Sequence, residues 1–157
     1  MQLAQLLAFF FATLAVALPW ALSDDTLVDT CTGDSSIAGY CTPLTYVDKT
    51  SSASGTTNPT QCQHTCSEVL TDAGDWNVDF SGDPTDPGYK HAVLGFDCGF
   101  SVSRGDGEPT SYSFNMANQD ILDLVRESSS RFGADNKSFA AEGTMNCAGH
   151  EVKWYIE

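Results

Sequence analysis

The sequence predicts a small α+β protein cross-linked by disulfides: a two-layer sandwich in which an antiparallel sheet carries two helices on one face. Three observations lead to this class. Two segments carry apolar residues at helical spacing. Several shorter segments alternate apolar and polar residues, as strands with one buried face do. Six cysteines among 157 residues supply the cross-links.

The first 23 residues are interpreted as a secretory signal peptide. Residues 3–18 are almost wholly apolar and are followed by small residues, which is the pattern of an export signal. Pro19 interrupts the apolar run before it reaches the roughly 20 residues that a spanning helix needs, so we expect no transmembrane segment. Cleavage is expected after Ser23, with cleavage after Ala17 as the alternative.

Residues 24–157 are expected to form one domain. Its first part, residues 24–60, is rich in Ser and Thr without a clear periodicity and is predicted to be irregular. Cys31 and Cys41 lie in this part and should tie it to the core. In an exported chain an even number of cysteines predicts three disulfides, with fifteen possible connectivities.

The first helix is predicted to begin at Pro59, with Asn58 as its N-cap. A proline is tolerated there because the first helical position needs no N–H donor. Cys62 and Cys66 lie one turn apart on the apolar face of this helix, and Gly74 is the expected stop. Both cysteines should therefore point towards the core.

Alternating apolar and polar residues predict the strands. They are expected at residues 76–80, 92–102, 112–116, 139–147 and 152–156. Cys98 and Cys147 would each lie within a strand. The residues Gly105, Asp106 and Gly107 are predicted to form the tip of a hairpin that joins the second of these strands to the third.

The second helix has the strongest pattern in the chain. Asn118 is the expected N-cap, Asp120 places negative charge near the positive end of the helix dipole, and Gly133 is the expected stop. Glu127 and Arg131 are four residues apart on the polar side, in the favourable order for an ion pair. The apolar face is formed by Ile121, Leu122, Leu124, Val125 and Phe132.

The charge of the chain is strongly one-sided. Seven Lys and Arg residues stand against 21 Asp and Glu residues, a formal net charge of −14. Such a surface repels nucleic acids and anionic lipid headgroups, so no nucleic-acid partner is expected. The acidic residues are scattered, which is typical of a solvated surface rather than of one binding site.

No catalytic residue, metal ligand or cofactor site is assigned. The spacing of Cys62, His64 and Cys66 is not that of a common zinc site, and in an oxidising compartment disulfides are favoured. Neither His64 nor the other two histidines, His91 and His150, lies in a recognisable nucleophile motif. A pair of catalytic carboxylates stays open as an alternative, because 21 acidic residues always allow one.

Two surface motifs are noted. Arg104, Gly105 and Asp106 spell the tripeptide that integrin-type receptors bind, so this turn is a possible recognition site; the simpler interpretation is that a tight turn needs Gly and Asp. Asn136 begins an Asn-Lys-Ser glycosylation sequon that ends at Ser138, in a predicted loop.

A series of motifs covers residues 96–156. It consists of Cys-Gly-Phe-Ser-Val at 98–102, Asp-Ile-Leu-Asp at 120–123, Arg-Phe-Gly at 131–133, Gly-Thr-Met-Asn-Cys-Ala-Gly at 143–149 and Val-Lys-Trp-Tyr-Ile at 152–156. In this combination the chain resembles the secreted fungal effectors of the "extracellular protein two" type, which induce necrosis in plants. Tyr155 is a departure, since those effectors tend to have Gly at the matching position.

The resemblance implies a secreted fungal virulence protein that acts without catalysis in the apoplast of a plant host, through an unidentified extracellular protein or receptor. It also implies a killer-toxin-like fold, a small sandwich, and we expect a monomer. Two alternatives stay open. One is a killer-type antimicrobial toxin directed at competing microbes, and the other is a secreted hydrolase or carbohydrate-binding protein.

The resemblance also suggests a disulfide pairing. Those effectors usually have four cysteines, and Cys41 and Cys62 are the two additions in this chain. If the additions pair with each other, the implied bridges are Cys41–Cys62, Cys66–Cys98 and Cys31–Cys147.

Overall fold

The computed structural model describes residues 29–72, 74–95 and 97–157. The predicted signal peptide lies outside the described residues, as do Ala73 and Phe96. The helices are α1 (Pro59–Thr71) and α2 (Asn118–Phe132). The strands are β1 (Cys41–Pro43), β2 (Val47–Asp48), β3 (Trp76–Asp79), β4 (His91–Leu94), β5 (Phe100–Arg104), β6 (Ser113–Met116), β7 (Ala141–Cys147) and β8 (His150–Ile156).

The strands form two antiparallel sheets. The larger sheet has the order β1-β7-β8-β5-β4, and β2 also pairs with β7. The smaller sheet pairs β3 with β6. Together with the two helices and three disulfides, this arrangement confirms the predicted α+β sandwich. No helix in the described part of the chain is both long and apolar enough to cross a membrane.

The core lies between the helices and one face of the larger sheet. Alternate residues of β7 and β8 are buried, and Trp154 and Met145 are fully enclosed. From α2 the buried side chains include Ile121, Leu122, Leu124 and Val125, as predicted. The other face of the sheet carries partly exposed polar residues, among them Lys153 and Tyr155. That face is open to solvent.

The prediction of a single strand at residues 92–102 is wrong. The segment contains two strands, β4 and β5, which pair with each other, and Cys98 lies in the connection between them rather than in a strand. The apolar and polar residues continue to alternate through this connection, so the pattern alone does not reveal the turn. β6 in turn pairs with β3 and not with β5, so the turn at Gly105–Gly107 joins two different sheets instead of closing a hairpin.

The N-terminal part of the domain is more regular than predicted. β1 and β2 lie within it and pair with β7, with Cys41 opposite Cys147 and Val47 opposite Glu142. Their shortness explains the missed strands, because three residues and two residues are too few to show an alternation.

The predicted start of α1 is confirmed, since the Asn58 side chain accepts a hydrogen bond of 3.0 Å from the backbone N–H of Gln61. The helix ends at Thr71, three residues before Gly74. At α2 the N-cap is Ala117 rather than Asn118. The helix therefore begins one residue earlier than predicted, because the Asp120 carboxylate accepts the backbone N–H of Ala117 at 2.8 Å and caps the N-terminus from there.

The Asn118 side chain has a different role. It accepts a hydrogen bond of 2.6 Å from the Trp76 indole and donates one of 2.7 Å to the backbone oxygen of Asp72. It therefore ties the start of α2 to β3 and to the end of α1. The ion pair predicted on the polar side of α2 is confirmed, with 2.7 Å between the Arg131 guanidinium and the Glu127 carboxylate.

All six cysteines form disulfides, but the pairing implied by the resemblance is wrong. The bridges are Cys31–Cys66, Cys41–Cys147 and Cys62–Cys98. The register of the sheet explains the second, since β1 places Cys41 directly opposite Cys147. Cys62 and Cys66 share a face of α1 but reach different neighbours: Cys98 in the β4–β5 connection and Cys31 in a short 3₁₀ helix, Thr30–Thr32. Cys41 and Cys62 therefore never meet.

Candidate functional site

The exposed apolar side chains concentrate on one segment. Among the described residues, five large apolar side chains are strongly exposed, and four of them are Ile37, Tyr40, Leu44 and Val47, at 55%, 55%, 53% and 46% of full exposure. Single exposed apolar residues need no explanation, whereas a concentration of them indicates an interaction surface. We call residues 37–47 the strap and treat it as the candidate functional site.

A hydrogen-bonded turn at residues 34–37 holds the backbone where the strap begins. The Asp34 carboxylate accepts hydrogen bonds from the backbone N–H and the hydroxyl of Ser36, at 3.0 and 2.6 Å, and the Ile37 N–H donates to the backbone oxygen of Asp34. The bonds from Ser36 stabilise the ionised carboxylate and lower the pKa of Asp34. The turn sets the position from which Ile37 projects into solvent.

A buried carboxylate holds the middle of the strap. Asp120, in the first turn of α2, accepts the backbone N–H groups of Tyr40 and Cys41 at 3.0 and 3.1 Å. Hydrogen bonds to a charged acceptor are roughly twice as strong as neutral ones. The same carboxylate accepts the N–H of Ala117, so one side chain caps the helix and anchors the strap.

The rest of the strap is bound to the edge of the larger sheet. The Cys41–Cys147 disulfide joins β1 to β7 covalently. Beyond β1, the backbone N–H groups of Leu44 and Thr45 both donate to the backbone oxygen of Thr144. The strap is thus fixed along its length while its apolar side chains remain exposed. A surface ordered in this way loses little conformational freedom on binding.

Acidic groups surround the exposed side chains. The Tyr40 hydroxyl donates a hydrogen bond of 3.1 Å to the Asp75 carboxylate, and this contact raises the pKa of Tyr40. Asp34 precedes the strap and Asp48 follows it directly. The cations beside the strap, Lys49 and the Arg131 that lies over the Tyr46 ring, are each paired with a glutamate. The surroundings of the apolar side chains are therefore acidic on balance, which suits a partner that carries positive charge around an apolar patch.

The Arg104–Gly105–Asp106 turn does not present its two charged side chains together. The Arg104 guanidinium lies over the Phe80 ring and donates hydrogen bonds to the backbone oxygens of Phe80, Asp83 and Pro84. The Asp106 carboxylate instead pairs with Lys153 at 2.6 Å. Arg104 thus stabilises the backbone of the segment from Phe80 to Pro84, and this geometry does not support the interpretation of the turn as an adhesion motif.

Asn136 is exposed at the end of α2, in a second 3₁₀ segment. Its side-chain oxygen accepts hydrogen bonds from the hydroxyl and the backbone N–H of Thr60, at 3.1 and 3.3 Å. The position suits an attached glycan because the side chain lies at the surface. Glycosylation of Asn136 stays a prediction.

Two of the three histidines brace loops against the body of the protein. His91 lies 2.6 Å from the Asp83 carboxylate, and its ring packs edge-on to Phe80. His150 lies 2.7 Å from the Glu108 carboxylate. Its ring stacks on Tyr112, with 4.2 Å between the centroids. Burial raises the pKa of Tyr112 to about 12.

The third histidine, His64, is exposed on α1 between Cys62 and Cys66. The sulfur atoms of both cysteines are committed to disulfides, so they cannot act as thiolate ligands. Across the described ranges, no group of three or more His, Cys, Asp or Glu side chains is placed to hold a metal ion.

The strap could not be recognised from the sequence pattern. Ile37, Tyr40, Leu44 and Val47 are spaced three, four and three residues apart, as on one face of a helix, but Gly39 and Pro43 between them disfavour a helix. Periodicity therefore did not identify them as an exposed surface. One signal was present: apolar side chains in an otherwise polar segment that contains a cysteine not found in the usual pattern of the resembled family, Cys41.

Comparison with known proteins adds an independent finding. A sequence model of the Hce2 family, described as "Pathogen effector; putative necrosis-inducing factor", matches residues 40–147 of the chain. The match begins at Tyr40 in the strap and ends at Cys147, so it includes both cysteines of the bridge that holds the strap. It covers more than half of the sequence. No curated protein matches the chain.

Proposed function

Because the chain belongs to the Hce2 family of pathogen effectors, the family that its motifs resemble, we propose that it is secreted by a fungus and acts without catalysis on a plant host. In this proposal the strap binds an extracellular host protein, and that contact triggers cell death. The observation that carries it is the concentration of four exposed apolar side chains on one anchored segment.

The chemistry of the strap suggests the kind of partner. An apolar centre gains free energy when it is removed from water, at roughly 25 cal/mol per Å² of apolar surface buried. The acidic groups around it, together with a net charge of −14, attract a partner with a basic rim and accelerate the encounter. A host protein that exposes an apolar pocket flanked by Lys or Arg meets both requirements.

The disulfides support secretion. Three bridges in a small domain are typical of proteins that fold in an oxidising compartment and remain outside the cell. On the chain-entropy argument each bridge restricts the unfolded chain and adds about 3–5 kcal/mol of stability, which favours persistence in the apoplast.

The test compares two variants with similar surface chemistry. Tyr40→Ser combined with Leu44→Ser removes two exposed side chains from the strap. Leu70→Ser removes a side chain on α1 that is 46% exposed and lies outside the strap, and serves as the matched control. Circular dichroism and thermal melting would show that both variants fold like the unchanged protein.

Purified proteins would be infiltrated into leaves of a panel of plants, and lesion area would be measured over a dilution series. We expect the strap variant to need at least about tenfold more protein for the same lesion, which corresponds to about 1.4 kcal/mol of lost binding, while Leu70→Ser matches the unchanged protein. Equal potency of all three proteins would refute the role of the strap. Growth inhibition of fungi without any leaf response would favour an antimicrobial toxin instead.

A further inference from the structure

The solvent-facing side of the larger sheet forms a second ordered surface, away from the centre of the strap. Tyr155 of β8 lies in its middle, opposite Ser101 on β5 and Glu142 on β7. Lys153, two residues earlier, is opposite Ser103 and Thr144 in the same way. We call this surface the open face. Three adjacent strands position it, so its side chains are held on a rigid base.

The open face concentrates lysines in a strongly acidic chain. Of the four lysines in the sequence, Lys49, Lys90 and Lys153 border it. Each of them is matched by one carboxylate: Lys49 by Glu142 at 3.2 Å, Lys90 by Glu157 at 2.5 Å and Lys153 by Asp106 at 2.6 Å. No lysine bordering the face is therefore left without a carboxylate, and Glu151, which shares the face with Lys153 and Tyr155, adds a further exposed carboxylate.

The aromatic ring at the centre is fixed in place. The Tyr155 hydroxyl lies 3.0 Å from the Ser103 hydroxyl, and the Lys90 ammonium lies 4.2 Å from the centroid of the Tyr155 ring. A ring held from two sides keeps its orientation without a ligand, which lowers the entropic cost of packing another molecule against it.

Two shallow depressions flank Tyr155. One has a volume of about 360 Å³ and lies on the side of Lys49, Lys90 and Glu157. The other has a volume of about 250 Å³, lies on the side of Thr144 and Lys153, and is bordered by Thr45 and Val47 at the end of the strap. Small-molecule sites occupy roughly 300–1,000 Å³, so each depression alone is near or below the lower limit. Together they form a row that suits an extended ligand better than a compact one.

We infer that the open face binds a neutral polysaccharide chain across Tyr155. Sugar hydroxyls both donate and accept hydrogen bonds, and each ammonium–carboxylate pair offers donors and acceptors side by side. The apolar face of a sugar ring can pack on the tyrosine ring. Because each lysine that borders the face is already paired with a carboxylate, a polyanion would find no unmatched cation. The site adjoins the end of the strap at Thr45 and Val47 but does not include Tyr40 or Leu44, the residues that test the protein-binding proposal.

The experiment titrates the folded secreted protein with soluble hexasaccharides of glucose, xylose and N-acetylglucosamine, using calorimetry, with polygalacturonate as an anionic comparison. Tyr155→Ala is expected to weaken binding of the preferred neutral hexasaccharide about tenfold. Tyr155→Phe keeps the ring and should stay within about twofold. Tyr40→Ser in the strap is the matched control and should bind like the unchanged protein.

The inference is overturned if the unchanged protein binds none of the three neutral hexasaccharides, or binds only polygalacturonate in a manner that salt abolishes. It is also overturned if Tyr155→Phe loses binding as severely as Tyr155→Ala, or if the loss follows Tyr40→Ser instead. Thermal melting of each variant separates loss of the site from loss of the fold. Failure here leaves the leaf response to strap variants unaffected, so the two proposals fail independently.

Discussion

The Asp120 carboxylate fills the space that a side chain at position 39 would need: a Cβ atom on Gly39 would lie 1.9 Å from Asp120 Oδ1. Glycine is required here because a backbone segment must pass directly over a carboxylate. That close approach lets the N–H groups of Tyr40 and Cys41 reach the two carboxylate oxygens. Position 39 therefore controls whether the strap can attach to α2.

Gly39→Ala is expected to lower the free energy of unfolding by about 2–3 kcal/mol, because the added methyl group separates the strap from Asp120 and disrupts two hydrogen bonds to a charged acceptor. Lesion-forming potency should fall with it. Urea unfolding measures the first effect. Gly55→Ala is the matched control, since nothing lies within 4 Å of a Cβ at Gly55, and its unfolding should be unchanged. Equal stability of the two variants would contradict the anchoring role of Asp120.

Cys41→Ser should leave one free thiol, at Cys147. The pairing implied by the resemblance would instead free Cys62, so alkylation of the unreduced protein followed by peptide mass spectrometry distinguishes the two.

The double variant Cys41→Ser and Cys147→Ser removes the bridge with a sequence separation of 106 residues, and should lose about 4–5 kcal/mol of stability. Removing Cys31 and Cys66, which are 35 residues apart, should cost about 3–4 kcal/mol on the same chain-entropy argument.

Arg104→Lys is expected to destabilise the protein by about 2–3 kcal/mol. An ammonium group cannot replace a planar guanidinium that donates to three backbone oxygens in the segment from Phe80 to Pro84. The comparison is Arg126→Lys on α2, where the arginine makes a surface ion pair of 3.0 Å with Asp123. That change should stay within about 0.5 kcal/mol in urea unfolding. A similar cost at both positions would show that Arg104 has no special structural role.

Stability should fall when the solution becomes acidic. The backbone N–H of Glu151 and the His150 side chain hold the pKa of Glu108 below its ordinary value of 4.5. A carboxylate with a lowered pKa in the folded state stabilises the protein above pH 4.5 and loses that contribution as the pH falls through its folded value.

Melting temperatures measured from about pH 6 to pH 3 test this expectation. Glu108→Gln should melt below the unchanged protein at pH 6, and the difference should shrink below pH 4.5. A constant difference across the whole range would exclude a contribution from Glu108 ionisation.

The second helix was predictable because it needs only local information. Its apolar residues recur at helical spacing, and Gly133 ends it as expected. The prediction failed only at the N-cap, where Asn118 has a suitable side chain but is drawn to Trp76 instead. That contact joins residues 42 positions apart, and no local rule contains it.

The disulfide pairing and the sheet order could not be derived from local patterns. Cys62 and Cys66 look equivalent in the sequence because both face inward from α1, yet one meets the β4–β5 connection and the other the N-terminal 3₁₀ helix. The position of the strap could not be derived from local patterns either. Its position depends on Asp120 and Cys147, and neither is near it in sequence.

The three bridges overlap along the chain, since each spans a stretch that another bridge also crosses. Any single backbone cut between Cys31 and Cys147 therefore leaves two fragments still joined by at least one sulfur–sulfur bond. A protease that nicks an exposed loop once between these two cysteines cannot release either fragment. Release of a fragment from this range would require a second cut or a reductant, so limited proteolysis alone should leave the two pieces covalently linked.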